Sequence, residues 1–178
     1  MSVRTVNGNR RLYKENQPVE TITLDHALQK FLTFLDNVKY PVNSEFPIIL
    51  IGHNASVFDT PILLRKSNTE FHSKLRQLNA CFADSQILVK QLIKEKHPAL
   101  QVPSGGFCKS NQSSLYNQLF QEDFDAHDSL EDAKALRKII FQSPLKLNKE
   151  KIIKLSSVTA ISQAVDSVLY FDRRHEIL

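Results

Sequence analysis

Two short apolar segments, each followed at once by polar residues, constrain the fold of this chain more than any other feature. The first runs from Ile48 to Ile51 and ends at Gly52, and the second runs from Cys81 to Ala83 and ends at Asp84. A continuous apolar run of this length is typical of a strand that is buried on both faces of a sheet. Because helical patterns surround both segments, the sequence predicts an α/β fold with a largely parallel sheet.

Apolar residues recur at helical spacing through most of the remaining chain, which predicts helices over about 24–35, 70–78, 86–97, 115–120, 128–141 and 158–169. A further helix is expected around Pro61, which either occupies its first turn or kinks it. Thr23 and Asp128 are predicted helix caps. The predicted apolar faces are Leu24, Leu28, Phe31, Leu32 and Leu35 in the first helix, Leu130, Ala133, Leu136, Ile139 and Ile140 after Asp128, and Val158, Ile161, Val165 and Leu169 in the last.

Length and composition predict one globular domain. The chain has 178 residues, of which 42% are hydrophobic and 24% charged, and its formal charge is +4. That excess assists contact with a polyanion but is too small to be diagnostic. The longest apolar run is too short to span a bilayer, and the N-terminus lacks the apolar core of a secretory signal. We therefore expect a nuclear or cytoplasmic protein that does not associate with membranes, with Cys81 and Cys108 as ordinary thiols.

Acidic residues and one histidine are placed where an α/β fold would gather them. Asp59 follows the first predicted strand, Asp84 follows the second, and His127 precedes a helix with Asp132 in its first turn. Ligands of open α/β sheets bind outside the carboxyl ends of the strands. Carboxylates without soft ligands favour Mg²⁺ or Mn²⁺. Each residue also has a structural interpretation, which stays open here. Asp59 and Asp132 would be acids at helix starts, where the helix dipole favours a negative charge, and His127 would be a histidine in an exposed loop.

Together, these motifs resemble the DEDDh family of 3′-to-5′ exonucleases, which have a ribonuclease-H-like fold. The stretch from Gly52 to Leu63 matches the family's second motif, with Asp59 in the carboxylate position. The stretch from His127 to Asp132 matches the third, and Asp84 with its following serine is similar to a further family aspartate. The resemblance covers about residues 20 to 142. A narrower resemblance connects the chain to the exonuclease-like C-terminal region of vertebrate promyelocytic leukaemia proteins.

The resemblance implies a mechanism in which two divalent ions, Mg²⁺ or Mn²⁺, activate water and stabilise the leaving oxygen. His127 would deprotonate the water, Asp132 would bind a metal ion, and Asp59 would hold the metal site directly or through water. The implied partner is the 3′ end of a single-stranded nucleic acid, with DNA and RNA both open. Further candidate substrate-site residues are His53, Asn54 and Asp84.

The chain departs from the family at its first motif, because no aspartate in it is followed by a glutamate two residues later. Family members carry that Asp-x-Glu pair on the first of three strands, and the residues before the first helix are too few to make them. We therefore expect an N-terminally truncated form of the fold in which residues 1–20 are a hairpin or linker, 21–143 the exonuclease-like core and 144–178 a helical extension. The hairpin is predicted at Val3 to Val6 and Arg11 to Lys14, around Asn7-Gly8.

Three functions remain open from the sequence. In the first, the chain is a partial exonuclease that is inactive alone and binds metal ions weakly or not at all. In the second, it is a non-catalytic module that binds nucleic acid or protein. In the third, it is a purely structural domain of a larger scaffold. The first is the preferred hypothesis. Phe107, Phe120 and Phe124 are candidate base-stacking residues, although burial in the core is the favoured interpretation of each.

Overall fold

A computed structural model describes residues 2–6, 9–14, 16–39 and 47–175. The first part contains the strands β1 Ser2–Val6, β2 Asn9–Lys14 and β3 Gln17–Pro18, followed by the helix α1 Leu24–Lys39. The central part contains β4 Ile48–Gly52, α2 Asp59–Lys66, α3 Thr69–Gln77, β5 Ala80–Asp84, α4 Ser85–Lys94 and a short 3₁₀ helix, Pro98–Leu100. The last part contains α5 Gln112–Phe120, α6 Ser129–Gln142, α7 Lys149–Leu155, β6 Thr159–Ala160 and α8 Ile161–His175.

The described strands form two separate sheets. In the first, β1 and β2 pair antiparallel from Ser2 opposite Tyr13 to Val6 opposite Asn9, and β3 adds to β2. The predicted hairpin is therefore confirmed, while its turn residues 7 and 8 lie outside the described residues. The expectation that the residues before α1 are too few for three strands is wrong, because β3 needs only two residues.

The second sheet carries the predicted parallel pair. β4 and β5 run parallel with Gly52 opposite Asp84, and α2 and α3 form the crossover between them. The two-residue β6 pairs antiparallel with the other edge of β5. Within the described ranges, β4 pairs with β5 alone and is an edge strand. The chain thus has a mixed α/β fold in which both parallel strands end at the same level.

The helices build two apolar cores. The first lies among α1, α3, β5 and α8, and the second lies among α4, α5, α6 and the loop that follows α4. The aromatic side chains Phe107, Phe120 and Phe124 pack against the second core, which confirms the interpretation of these residues as structural. No helix in the described ranges is long and apolar enough to cross a membrane.

Caps and turns mostly begin the helices where the sequence predicts them. The hydroxyl of Thr23 accepts from the backbone N–H of His26 at the start of α1. Asp128 accepts from two N–H groups in the first turn of α6. Pro61 is the third residue of α2 and so belongs to its first turn, where a helix needs no N–H donor. The alternative of a kink at Pro61 is therefore wrong.

Four predicted face residues are exposed instead of buried. Leu24 and Leu130 are 50% and 60% exposed because each lies in the first turn of its helix, before the segment that packs on a core. Ala133 is exposed because α6 buries Ala135, two residues or about 200° further around the helix. On α8 the buried stripe runs through Ala164, Val165 and Val168, so Leu169 turns outward and is 49% exposed.

Candidate functional site

His53 connects three segments at the carboxyl end of β4. Its Nε2 lies 2.8 Å from the backbone carbonyl oxygen of Ser110, and its Nδ1 lies 3.0 Å from the hydroxyl oxygen of Ser85. A carbonyl oxygen can only accept, so Nε2 carries the proton, and in the neutral ring Nδ1 accepts from the Ser85 hydroxyl. Burial lowers the pKa of His53, which favours this neutral form. The imidazole therefore holds the end of β4, the start of α4 and the loop before α5 together.

Asp84 is a buried carboxylate that organises the same strand ends. It is 2% exposed, ends β5 and caps α4. Its Oδ1 accepts from the backbone N–H groups of Asn54 at 3.0 Å and Gln86 at 2.8 Å. Its Oδ2 accepts from the N–H of Ser56 at 3.0 Å and from the Ser56 hydroxyl at 2.6 Å. Burial opposes the charged form, but the hydrogen bonds from Ser56, Gln86 and Asn54 outweigh it and lower the pKa of Asp84.

The loop that donates hydrogen bonds to Asp84, through Asn54 and Ser56, folds closely onto the end of β4. Asn54 has a left-handed backbone with φ of 62°, a conformation that asparagine tolerates better than most residues. A Cβ placed on Gly52 would come 2.8 Å from the Cβ of Ala55, a distance that real Cβ atoms do not show. The same point lies 3.6 Å from Oδ2 of Asp59. Gly52 therefore permits the tight turn that places the Asp59 carboxylate beside the strand end.

Asp59 itself is exposed, in contrast to Asp84. It is the first residue of α2, where the dipole favours a negative charge, and the preceding cap residue Phe58 makes no side-chain capping bond. The carboxylate is thus accessible to a ligand from solvent.

The exposed His127 and the partly exposed Asp132 form a second pair at the start of α6. His127 lies in the turn before the helix with a left-handed φ of 76°. Its backbone N–H lies 3.4 Å from Oδ1 of Asp132, which is in the first turn of α6. The side chain of Gln112 donates to the backbone carbonyl of Asp132 at 2.6 Å, which ties this turn to the start of α5. His127 is exposed to solvent.

The structure thus divides the predicted site residues. Asp84 accepts a hydrogen bond from the backbone of Asn54, and the neighbouring Ser85 contacts His53 through its hydroxyl. At a second place, the backbone N–H of His127 contacts Asp132. Asp59 lies beside Gly52. Within the ranges that the structure describes, no three His, Cys, Asp or Glu side chains come close enough to hold a metal ion. The predicted metal and catalytic roles of Asp59, Asp132 and His127 therefore stay predictions.

Three serines of this region were not predicted as site residues. Ser56 and Ser85 bind Asp84 and His53 through their hydroxyls, and Ser110 binds His53 through its backbone. The position of Ser85, directly after an aspartate that ends a strand, is a sequence signal that could have predicted its place in the site. Nothing in the local sequence distinguishes Ser110 from the other serines of its loop, because a backbone carbonyl carries the contact.

Comparison with known proteins gives a distant relationship to a nuclease. No protein-family model matches the chain. The chain is 27% identical over 110 residues to a protein described as an uncharacterized exonuclease of Acanthamoeba polyphaga mimivirus. The match covers 60% of this chain and 30% of the viral protein, so the chain spans less than a third of that relative. This α/β domain is therefore similar in sequence to part of an exonuclease.

Proposed function

We propose that this domain engages the 3′ end of a single-stranded nucleic acid, DNA or RNA, as part of a DEDDh-type exonuclease. The observation that carries the proposal is the contact of 3.4 Å between the backbone N–H of His127 and Oδ1 of Asp132. This contact brings a residue with a proton-accepting imidazole and a residue with a carboxylate, both of which suit phosphodiester hydrolysis, together at the start of α6. A histidine held at positive φ is a strained arrangement that functional sites often retain. The similarity to a viral exonuclease supports the same class of chemistry.

In this proposal, His127 accepts a proton from the attacking water, since its exposed imidazole can reach a bound substrate. Asp59 and Asp132 are hard oxygen ligands of the kind that Mg²⁺ and Mn²⁺ prefer. Such ions, when bound, would polarise the phosphate and lower the pKa of the water. The donors in the described residues are too few for two divalent ions, because the two carboxylates offset only part of the charge and no cluster of three forms.

The chain alone is therefore proposed to be inactive. The missing carboxylates would come from a strand with an Asp-x-Glu pair, and the described structure offers a place for it. The edge of β4 that faces away from β5 has no strand against it among the described residues. A strand added there would end beside Gly52 and deliver its acidic residues near Asp59.

The test compares the chain with a version extended at its N-terminus by three strands that carry an Asp-x-Glu pair. With 5′-labelled single-stranded DNA and RNA and Mg²⁺ or Mn²⁺, the extended protein should shorten the substrate from its 3′ end, and the original chain should not. In the extended protein, His127→Ala should lower the single-turnover rate by about a hundredfold or more. Asp132→Ala should abolish cleavage. The matched control is His26→Ala, an exposed histidine on α1, which should cleave normally.

A second candidate function, a non-catalytic interaction module, is favoured by the surface next to Asp59. Val57, Phe58 and Ile62 are 63%, 58% and 55% exposed, although all three are large and apolar. The N–H of Ile62 bonds to the carbonyl of Phe58, so these two side chains share a face of α2. Exposed apolar side chains grouped in this way are typical of binding surfaces. An extended protein that binds oligonucleotide but does not cleave it with either metal would refute the enzymatic proposal and support this one.

A further inference from the structure

A small, open pocket lies between β5 and α8. Residues of α2 and β6 complete its lining, and α8 contributes Ala164, Ser167 and Val168. Its volume is about 200 Å³. This is smaller than the cavities of about 300 Å³ and more that hold drug-sized ligands, so it suits a single ring system. Its lining includes Ser56, Phe82, Thr159, Ala164, Ser167 and Val168.

The walls of this pocket are largely apolar. Phe82 on β5 is 7% exposed, and Ala164 and Val168 on α8 are 6% and 8% exposed. These three side chains come from a strand and a helix, both of which are fixed by the first core. A flat apolar ring can be buried between such walls without rearrangement of the backbone.

Three hydroxyl groups of the pocket are available as hydrogen-bond acceptors. The hydroxyl of Ser56 donates to Asp84 at 2.6 Å, that of Thr159 donates to the Ser157 carbonyl at 3.1 Å, and that of Ser167 donates to its helix at 2.8 Å. A hydroxyl that has used its proton in this way still has lone pairs to offer. A ligand with N–H or O–H donors matches these three hydroxyl groups.

Charge disfavours an anionic ligand. Asp84 lines the pocket with a carboxylate whose hydrogen bonds keep it ionised, and Arg65 is the one cationic side chain among the lining residues. The two charges cancel formally, which leaves no net positive charge to hold a phosphate. A neutral ring with an amino group matches both the charge and the acceptors.

We propose that this pocket binds a neutral, planar heterocycle that carries an amino group, of the adenine or cytosine type. The pocket is not lined by Asp59, Asp132 or His127, and the proposal does not depend on the proposed nuclease function. The base could come from a free nucleobase or nucleoside, or from the end of a nucleic acid strand. Both sources present the same ring and amino group.

The experiment titrates the full chain with adenine and follows ¹H–¹⁵N NMR shifts and calorimetric heat. Adenine should bind and shift the amides of Phe82, Thr159 and Ser167. Purine, which keeps the ring N–H but has no amino group, should bind about fivefold more weakly or worse, because the acceptor that pairs with the amino group then lacks its donor. Inorganic phosphate should leave these amides unmoved. Adenosine and a five-nucleotide oligodeoxyadenylate distinguish the two sources. If the oligonucleotide shifts the same amides, the base comes from the end of a strand; if only adenine or adenosine does, it comes from a free base or nucleoside.

Variants test whether the pocket itself is responsible. Ser167→Ala and Thr159→Val each remove one acceptor and should each weaken adenine about threefold to tenfold. Ala164→Leu fills the cavity and should abolish binding. Ser162→Ala, an exposed serine on α8 outside the lining, is the matched control and should bind normally. Because Ala164→Leu could disturb the core, Ser167→Ala carries the decision: alanine is a good helix former and its substitution there should leave the fold intact.

The proposal is overturned if adenine causes no shift at millimolar concentration, if purine binds as tightly as adenine, or if the folded Ser167→Ala and Thr159→Val variants bind adenine unchanged. Failure of this test would leave the exonuclease proposal standing, because that proposal is measured by cleavage and uses other residues.

Discussion

The two parts of the candidate site differ in how the chain holds their titratable groups. At the ends of β4 and β5, Asp84 is buried and both its oxygens accept hydrogen bonds, and His53 is held at both ring nitrogens. At the start of α6, His127 is exposed and Asp132 is partly exposed, with one long contact between them. The first part is built as a framework, because its polar groups are already satisfied. The second leaves its groups available to a ligand.

This difference shows that position in a motif does not fix the role of a residue. Asp59 and Asp84 both follow parallel strands, yet one carboxylate faces solvent and the other closes a loop. A charged group whose oxygens are all occupied stabilises the fold and has little capacity left for a substrate. An exposed carboxylate contributes little to stability and remains free for chemistry.

The largest expected effect comes from removing the framework carboxylate. Asp84→Ala leaves the N–H groups of Asn54, Ser56 and Gln86 without their acceptor and should lower the free energy of unfolding by about 3 kcal/mol or more. The matched variant Asp59→Ala should cost about 1 kcal/mol or less, since that side chain is exposed. Urea unfolding followed by circular dichroism measures both. Equal losses would remove the proposed distinction between the two aspartates.

The next effect is a pH dependence of stability that His53 carries. Burial lowers the pKa of His53 in the folded chain, so the unfolded chain binds a proton more readily than the folded one. The stabilisation is therefore fully present above the unfolded pKa of about 6.5 and is lost as the pH falls through the folded pKa. Urea midpoints measured between pH 8 and pH 5 should fall on acidification.

The matched variant for that measurement is His53→Gln, which keeps polar atoms but does not titrate. It should be less stable at pH 8 and should lose less stability on acidification than the parent chain. His26→Gln, an exposed histidine, should follow the parent curve. If His53→Gln follows the parent slope, other groups carry the pH dependence.

The smallest expected effect concerns the exposed pair and has the opposite sign. The backbone of His127 has a φ of 76°. This conformation has a higher free energy for a residue with a side chain than for glycine. His127→Gly should therefore raise the free energy of unfolding by about 0.5 kcal/mol. His127→Ala keeps the unfavourable φ and should give no such gain. The comparison sharpens the view of His127 as a residue retained at some cost in stability, and a destabilised His127→Gly variant would contradict it.

Local sequence patterns predicted most of the helices and the parallel pair of strands, because periodicity and caps are local. They did not predict α7 or β6, and β6 lies where the final helix was expected to begin. The continuous run at Ile48–Ile51 predicted the strand β4 and the polar residues after it predicted where the strand ends, but β4 is only partly buried, because among the described residues it is an edge strand. Thr23 and Asp128 predicted where α1 and α6 begin, since a cap acts on the N–H groups of the next turn. The α/β class and the parallel pair followed from these elements.

Which residues each element buries, and what the polar residues contact, depends on how the elements pack together. Leu24 and Leu130 fit their helical faces but lie beyond the part of the helix that another element covers. Asp84 and Asp59 have similar local settings, and the fold of residues 53–58 over the strand ends gives Asp84 its hydrogen bonds. His53 depends on Ser110, which is 57 residues away in the chain. Contacts over such separations arise from packing of whole elements, and no local pattern encodes them.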